Sequence, residues 1–154
     1  MQLSEEFDGS RRAAMAILAQ SETAGIECGL AAAACETQFV DLRAPEIGLV
    51  MLRGRLGGTG APFNVGEATV TRAAVQLASG EQGFACILGR DSKKARLAAL
   101  CDALWQAEDS RERIERQVLK PLRVALEKRQ QHLRARTAAT KVDFFTLVRG
   151  EDEP

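Results

Sequence analysis

Alternation of apolar and polar side chains through the middle of the chain constrains its fold more than any other feature. A period of two is typical of β-strands, and four such runs occur between residues 38 and 89. The runs are 38–43, 47–56, 68–77 and 82–89. Turn-forming residues join most of them, so we predict an antiparallel meander of four strands. Only the connection over 57–67 is long.

Apolar residues at helical spacing lie on both sides of these runs. We predict a first helix over 10–20 with Ser10 as its N-cap, and a second helix over 21–36. After the runs, Asp91 is the expected N-cap of a third helix, and a later helix must kink or restart at Pro121. The predicted fold is therefore α+β: a four-stranded antiparallel sheet with two N-terminal and two or three C-terminal helices.

Length, charge and composition narrow the class of protein. The 154 residues suit one domain over 1–154, and 21 basic residues balance 21 acidic ones. A net charge of zero argues against attraction of the whole molecule to nucleic acid or an anionic membrane. The acidic N-terminus does not resemble a signal peptide, and no apolar stretch is long enough to span a bilayer.

The four cysteines form no C-x-x-C pair. Three of them, Cys35, Cys86 and Cys101, stand among apolar residues, where a free thiol behaves as a small hydrophobic side chain. We therefore expect reduced cysteines in the core, no metal site and a cytoplasmic protein.

Three segments are candidates for contact with a ligand or another subunit. The first is the glycine-rich loop of Gly57, Gly58, Thr59 and Gly60, whose backbone amides could approach a phosphate, although an ordinary hairpin connection is favoured. The second is Arg72, inside a strand-like run, where a structural ion pair with a carboxylate such as Asp91 is favoured over binding of an external phosphate. The third is Arg90, beside the predicted N-terminus of the third helix.

The C-terminal segment is apolar and strand-prone, unlike the acidic end that follows it. Termini are usually poorly ordered, so this segment either adds a strand to its own sheet or docks on another chain. The docking candidates are Val142, Phe144, Phe145, Leu147 and Val148.

The region 111–149 carries 11 basic and 4 acidic residues. We interpret it first as a solvated helix with ion pairs such as Glu112–Arg116, and alternatively as a surface that meets an acidic subunit or nucleic acid. The single histidine, His132, lies among polar residues. Without a second histidine, neither a Ser–His–Asp triad nor a histidine-based metal site is expected, and no catalytic residue stands out.

Several motifs, in order along nearly the whole chain, resemble the PhnG family of the bacterial carbon–phosphorus lyase core complex. They are RLGGTG at 55–60, GEATVTRAAV at 66–75, GRD at 89–91 and VDFFTLVRG at 142–150. The resemblance implies a cytoplasmic subunit that works with PhnH, PhnI, PhnJ and PhnL. In that family PhnG, PhnH, PhnI and PhnL transfer the ribose triphosphate of ATP to methylphosphonate and release adenine, and no catalytic residue or cofactor is assigned to PhnG itself.

These observations lead to three hypotheses of different classes. The first is an accessory subunit of that transferase complex, which docks on PhnI through its tail and part of its sheet. The second is a nucleic-acid-binding module that uses the basic region 111–149, and the third is an independent small hydrolase that acts through the glycine loop. Under the first hypothesis the isolated chain is expected not to be catalytic, whereas the third requires turnover by the isolated chain.

Overall fold

The computed structural model describes residues 2–35 and 38–140, with side chains from residue 9 onward. Two helices come first, three antiparallel strands follow, and the remaining described residues are largely helical. The elements are α1 Gln2–Gln20, α2 Thr23–Ala33, β1 Phe39–Arg55, β2 Pro62–Leu77, β3 Gln82–Leu88, α3 Ser92–Gln106, α4 Glu108–Ile114 and α5 Lys120–Ala139, with the π-helical segment Glu115–Leu119 between α4 and α5. The α+β class and its two N-terminal helices are confirmed.

The described residues form three strands instead of the predicted four, in the order β1-β2-β3. The first two predicted runs are one strand, because β1 continues through Pro45. Register shifts between Asp41 and Arg43 and between Arg43 and Glu46 mark bulges at this point. A proline at an edge or a bulge need not donate a ladder hydrogen bond, so the break expected from Pro45 does not occur.

The helix boundaries differ from the expected ones at both ends of the chain. Ser10 lies inside α1 and is not its N-cap. The third helix begins as predicted, since Asp91 accepts a hydrogen bond from the backbone N–H of Lys94 at 2.8 Å. The change expected at Pro121 takes the form of a π-helical segment, which ends two residues before it. Widening the helix by one residue relieves the clash that proline makes with the preceding turn.

The core lies between the sheet and the helices, with α3 directly against β2 and β3. Alternate residues of β3 are buried, and a Cβ on Gly83 would lie only 1.9 Å from the backbone oxygen of Ala99 in α3. Most of the buried apolar side chains come from α3, β2, β3 and the helices around them, and include Leu18, Ile26, Val75, Ile87, Leu104, Trp105, Ile114 and Leu119. Of the cysteines, Cys101 is buried and Cys35 half-buried, whereas Cys28 and Cys86 are exposed free thiols, so the expectation that they line the core is only partly correct.

Candidate functional site: an exposed β-hairpin arm

The most unusual feature of the structure is the outer half of the β1–β2 hairpin, residues 47–69, which we call the arm. None of its residues is buried, and no helix among the described residues covers its outer part, in contrast to the inner half of β2. Large apolar side chains are nevertheless concentrated there, each 45–78% exposed: Ile47, Leu49, Met51, Leu52, Leu56, Phe63 and Val65. A protein surface rarely carries so many exposed apolar residues in one place unless something covers them.

The arm is long for an unsupported hairpin. Its strands pair from Ile47 with Thr71 out to Arg55 with Pro62, with one register shift between Leu52 and Arg53. Two-stranded hairpins without a third strand or a covering helix are marginally stable in water. The arm therefore has the composition of a buried sheet and the surroundings of a surface loop.

The predicted glycine loop forms the tip of the arm. Because β2 begins at Pro62, the expected connection of 57–67 shrinks to a short turn, and its second half belongs to the strand. Gly57 and Gly58 have φ angles of +64° and +80°, which L-residues rarely adopt, and the N–H of Gly60 bonds to the oxygen of Leu56 at 3.3 Å. Thr59 is exposed. The glycines thus make a hairpin turn, as the ordinary interpretation of this loop predicts.

Arg72 forms a structural ion pair, as predicted, but with a different partner. Its guanidinium lies 3.0 Å from Oε1 of Glu46, the residue opposite it on β1, and not beside Asp91. The same carboxylate is 3.3 Å from Arg43. Both Arg72 and Glu46 are roughly half exposed, so the pair contributes at most about 1 kcal/mol to stability.

Arg90 is exposed at the end of β3, next to the cap of α3. The neighbouring Asp91 is occupied by the Lys94 N–H and the Thr23 hydroxyl, and these two hydrogen bonds hold the pKa of Asp91 below its usual value. Arg90 therefore stands beside a helix N-terminus that already has its anion.

The six candidate residues lie in separate places. The Gly89 N–H bonds to the oxygen of Thr69, opposite Leu49, so Arg90 stands near the base of the arm. At about 3.3 Å per residue, the turn at Gly57 is about 26 Å further out. Arg72 is three residues further along β2 from Thr69, on the side away from the tip. The glycine turn, Arg72 and Arg90 therefore cannot contact one small ligand together.

The other sites considered from the sequence lie apart from the arm or outside the described residues. Within residues 2–35 and 38–140, no group of three or more His, Cys, Asp or Glu side chains is arranged to hold a metal ion. No helix there is long and apolar enough to cross a membrane. His132 is exposed on α5. The docking candidates Val142, Phe144, Phe145, Leu147 and Val148 lie outside the described residues.

The basic region is partly engaged in local contacts. Arg111 lies over the ring of Trp105, 5.0 Å from its centroid, and the expected pair of Glu112 and Arg116 is present at 3.8 Å. Beyond residue 127, every residue of α5 is exposed. The local contacts near the core and the full exposure beyond residue 127 both agree with the solvated-helix interpretation.

The arm is not among the surfaces predicted from the sequence, although the sequence contains a signal for it. In a strand with one buried face, polar residues occupy alternate positions. Here Ile47, Leu49 and Met51 point to one face while Val50 and Leu52 point to the other. Apolar side chains on both faces indicate a strand that is covered on two sides. The described residues do not cover the arm on either side.

Comparison with known proteins gives a direct match. The family model described as "Phosphonate metabolism protein PhnG" matches residues 9–150. A curated relative from Rhizobium meliloti (strain 1021), described as "Alpha-D-ribose 1-methylphosphonate 5-triphosphate synthase subunit PhnG", is 44% identical over 142 residues, which cover 92% of this chain and 90% of the relative. This chain therefore belongs to the PhnG family of phosphonate metabolism proteins.

Proposed function

We propose that this chain acts as the PhnG subunit of an alpha-D-ribose 1-methylphosphonate 5-triphosphate synthase and contributes a docking surface to that assembly. The synthase is a transferase complex of phosphonate metabolism. Its reaction moves the ribose triphosphate of ATP to methylphosphonate and releases adenine. The chain itself binds no cofactor, and ATP is a substrate of the whole complex.

The arm is the observation that carries the structural half of this proposal. Its seven large apolar side chains are about half exposed or more. Covering them would contribute on the order of 1 kcal/mol for each side chain, a gain that offsets much of the cost of association. A surface of this kind is expected in a permanent complex and is a liability in a free monomer.

PhnI is the partner that we assign to the arm and to the tail 142–150. PhnH, PhnJ and PhnL complete the cytoplasmic assembly. The turn of Gly57, Gly58, Thr59 and Gly60 forms the exposed tip of the arm, so it lies at a subunit junction or beside a phosphate-bearing site. Arg72 and Arg90 lie near the base of the arm, about 26 Å from that turn, where they would line another part of the contact with the partner.

The docking role of the arm is tested with two lysine substitutions of equal exposure. Met51 is 53% exposed in the arm, and Leu133 is 52% exposed on α5. Each variant is co-expressed with tagged PhnI, and the amount of this chain that co-purifies is measured. Met51→Lys should reduce co-purification at least tenfold, because a charge would be buried in the interface, while Leu133→Lys should leave it unchanged.

The tail is tested separately by deleting residues 142–154. Loss of PhnI binding by the truncated chain would support tail docking. Co-purification equal to that of the full-length chain would refute it. If Met51→Lys and wild type bind PhnI equally well, the arm is not the docking surface.

A further inference from the structure

The two edges of the sheet differ in a way that points to the manner of docking. A strand edge exposes N–H and C=O groups that can pair with another strand, and proteins usually block such edges. The edge formed by β3 is blocked at Gln82 and Phe84, whereas the described residues leave the edge formed by β1 open. This difference goes beyond the apolar character of the arm.

Two side chains of α3 block the edge of β3. The Asp102 carboxylate accepts the backbone N–H of Phe84 at 2.8 Å, and the Gln106 amide donates to the oxygen of Gln82 at 2.7 Å. Asp102 is also held by Arg11 through two hydrogen bonds. An additional strand cannot pair with these groups unless it displaces a buried carboxylate.

The open groups of β1 can be assigned from the ladder. The oxygen of Thr69 accepts from Gly89 after β3, so the backbone groups of Thr69 point away from β1. Its partner on β1, Leu49, therefore directs its own N–H and C=O away from β2, to the free edge. Ile47 and Met51 lie two residues from Leu49 on either side, so their N–H and C=O groups also point to the free edge. Within the described residues, no side chain forms a hydrogen bond to the backbone of these three residues.

The open run has the length of an ordinary strand. The register is continuous from Glu46 to Leu52, and bulges interrupt it between Arg43 and Glu46 and between Leu52 and Arg53. Bulges hinder edge pairing, so an added strand would be confined to this run. Three N–H and three C=O groups alternate along it, which only another extended backbone can match in full.

We propose that the edge of β1 at Ile47, Leu49 and Met51 accepts an extended segment of the partner subunit, which becomes the fourth strand of the sheet. This inference rests on the proposed function. The segment has apolar side chains at alternate positions, to cover the three exposed side chains of these residues. It also carries a carboxylate near Arg53 and Arg55, two exposed arginines for which the described residues provide no ion pair.

Charge disfavours a second copy of this chain as the occupant. Antiparallel pairing of two β1 edges about Leu49 would use all three open residues of each copy. It would also bring Arg43 of one copy towards Arg55 of the other. The nearby carboxylate, Glu46, is already shared by Arg43 and Arg72, so a second copy brings no free carboxylate to Arg55, whereas a partner with a carboxylate there favours the pairing.

Hydrogen–deuterium exchange at single-residue resolution tests the inference on the complex of this chain with PhnI. The amides of Ile47, Leu49 and Met51 should exchange freely in the isolated chain and slow at least tenfold in the complex. The amides of Gly48 and Val50 face β2 and should be protected in both. Free exchange of the first three amides within an intact complex would overturn the proposal.

Proline at position 49 provides a second test. Leu49→Pro removes one edge N–H and leaves the β1–β2 ladder intact. It should weaken co-purification at least tenfold, whereas Leu49→Thr, which keeps the N–H, should have a smaller effect. Cys86→Pro makes the same change at the other edge and should have no effect. Equal binding by Leu49→Pro and Leu49→Thr would contradict strand addition.

Other occupants of the β1 edge would give different patterns of amide exchange. Protection of the three amides in a dimer of the isolated chain would assign the edge to a second copy. Protection in the isolated monomer that disappears when 142–154 is deleted would assign it to the chain's own tail. Either result overturns the proposal and leaves the proposed function standing. Failure of the wild-type chain to form any complex with the synthase subunits would refute the proposed function itself.

Discussion

Substitution of Gly83 by alanine should be among the most damaging single-methyl changes in this protein. A Cβ at this position would lie 1.9 Å from the oxygen of Ala99 and 2.5 Å from the nitrogen of Ala103. Both atoms belong to the backbone of α3, so no side chain can rotate away. To restore ordinary contact, α3 must move from β3 by about 1.5 Å, against the close packing of the core.

Overpacking of this kind costs about 1–3 kcal/mol where the surroundings can adjust, and a backbone contact places Gly83→Ala at about 3 kcal/mol or above. For a domain of this size, that loss corresponds to a fall in Tm of about 6–12 °C. The assay is thermal unfolding of the purified chain followed by circular dichroism. Gly66→Ala is the matched control, because nothing lies within 4 Å of the added Cβ. It should change stability by less than about 0.5 kcal/mol. A Tm of Gly83→Ala equal to that of wild type would refute the packing argument.

Three further predictions concern buried and capping groups. Asp102→Ala should cost about 2–4 kcal/mol in chemical unfolding, because Arg11 and a strand N–H lose their carboxylate, and a loss below 0.5 kcal/mol would contradict this. Burial raises the pKa of Cys101 to about 12, so its thiol should resist alkylation in the native chain while Cys86 reacts, as mass spectrometry would show. The pKa of Asp91 is lowered by its hydrogen bonds, so its stabilising effect is present above about pH 4, the usual pKa of the group, and is lost as pH falls through the lower folded value. The stability difference between wild type and Asp91→Asn should therefore shrink in acid, and a difference that is constant from pH 7 to pH 2 would contradict it.

Much of the fold could be predicted from local patterns. Helical spacing and the Asp91 cap identify α3, and alternation identifies β2 and β3. The number of strands could not be obtained in this way, because Pro45 is a strong local signal for a break. Bulges on the edge strand β1 accommodate Pro45 without ending the strand. That outcome depends on the pairing with β2, which local sequence does not encode.

The candidate site could likewise be predicted from the sequence only in part. The ion pair of Arg72 follows from the cost of an unpaired guanidinium in a strand, but its partner Glu46 is fixed by the register between β1 and β2. The turn at Gly57 and Gly58 follows from composition. The arm does not follow, because exposure depends on where the helices end relative to the sheet. Apolar residues of both parities were the only sequence signal for it.

Reconstitution of the synthase reaction tests most directly whether the chain works only as part of an assembly. Purified PhnH, PhnI and PhnL are mixed with ATP and methylphosphonate, and adenine release is followed with and without this chain. Release should require the chain and should fall at least tenfold with Leu49→Pro, while the chain alone should release none. Full adenine release without the chain, or turnover of ATP and methylphosphonate by the chain alone, would contradict the account.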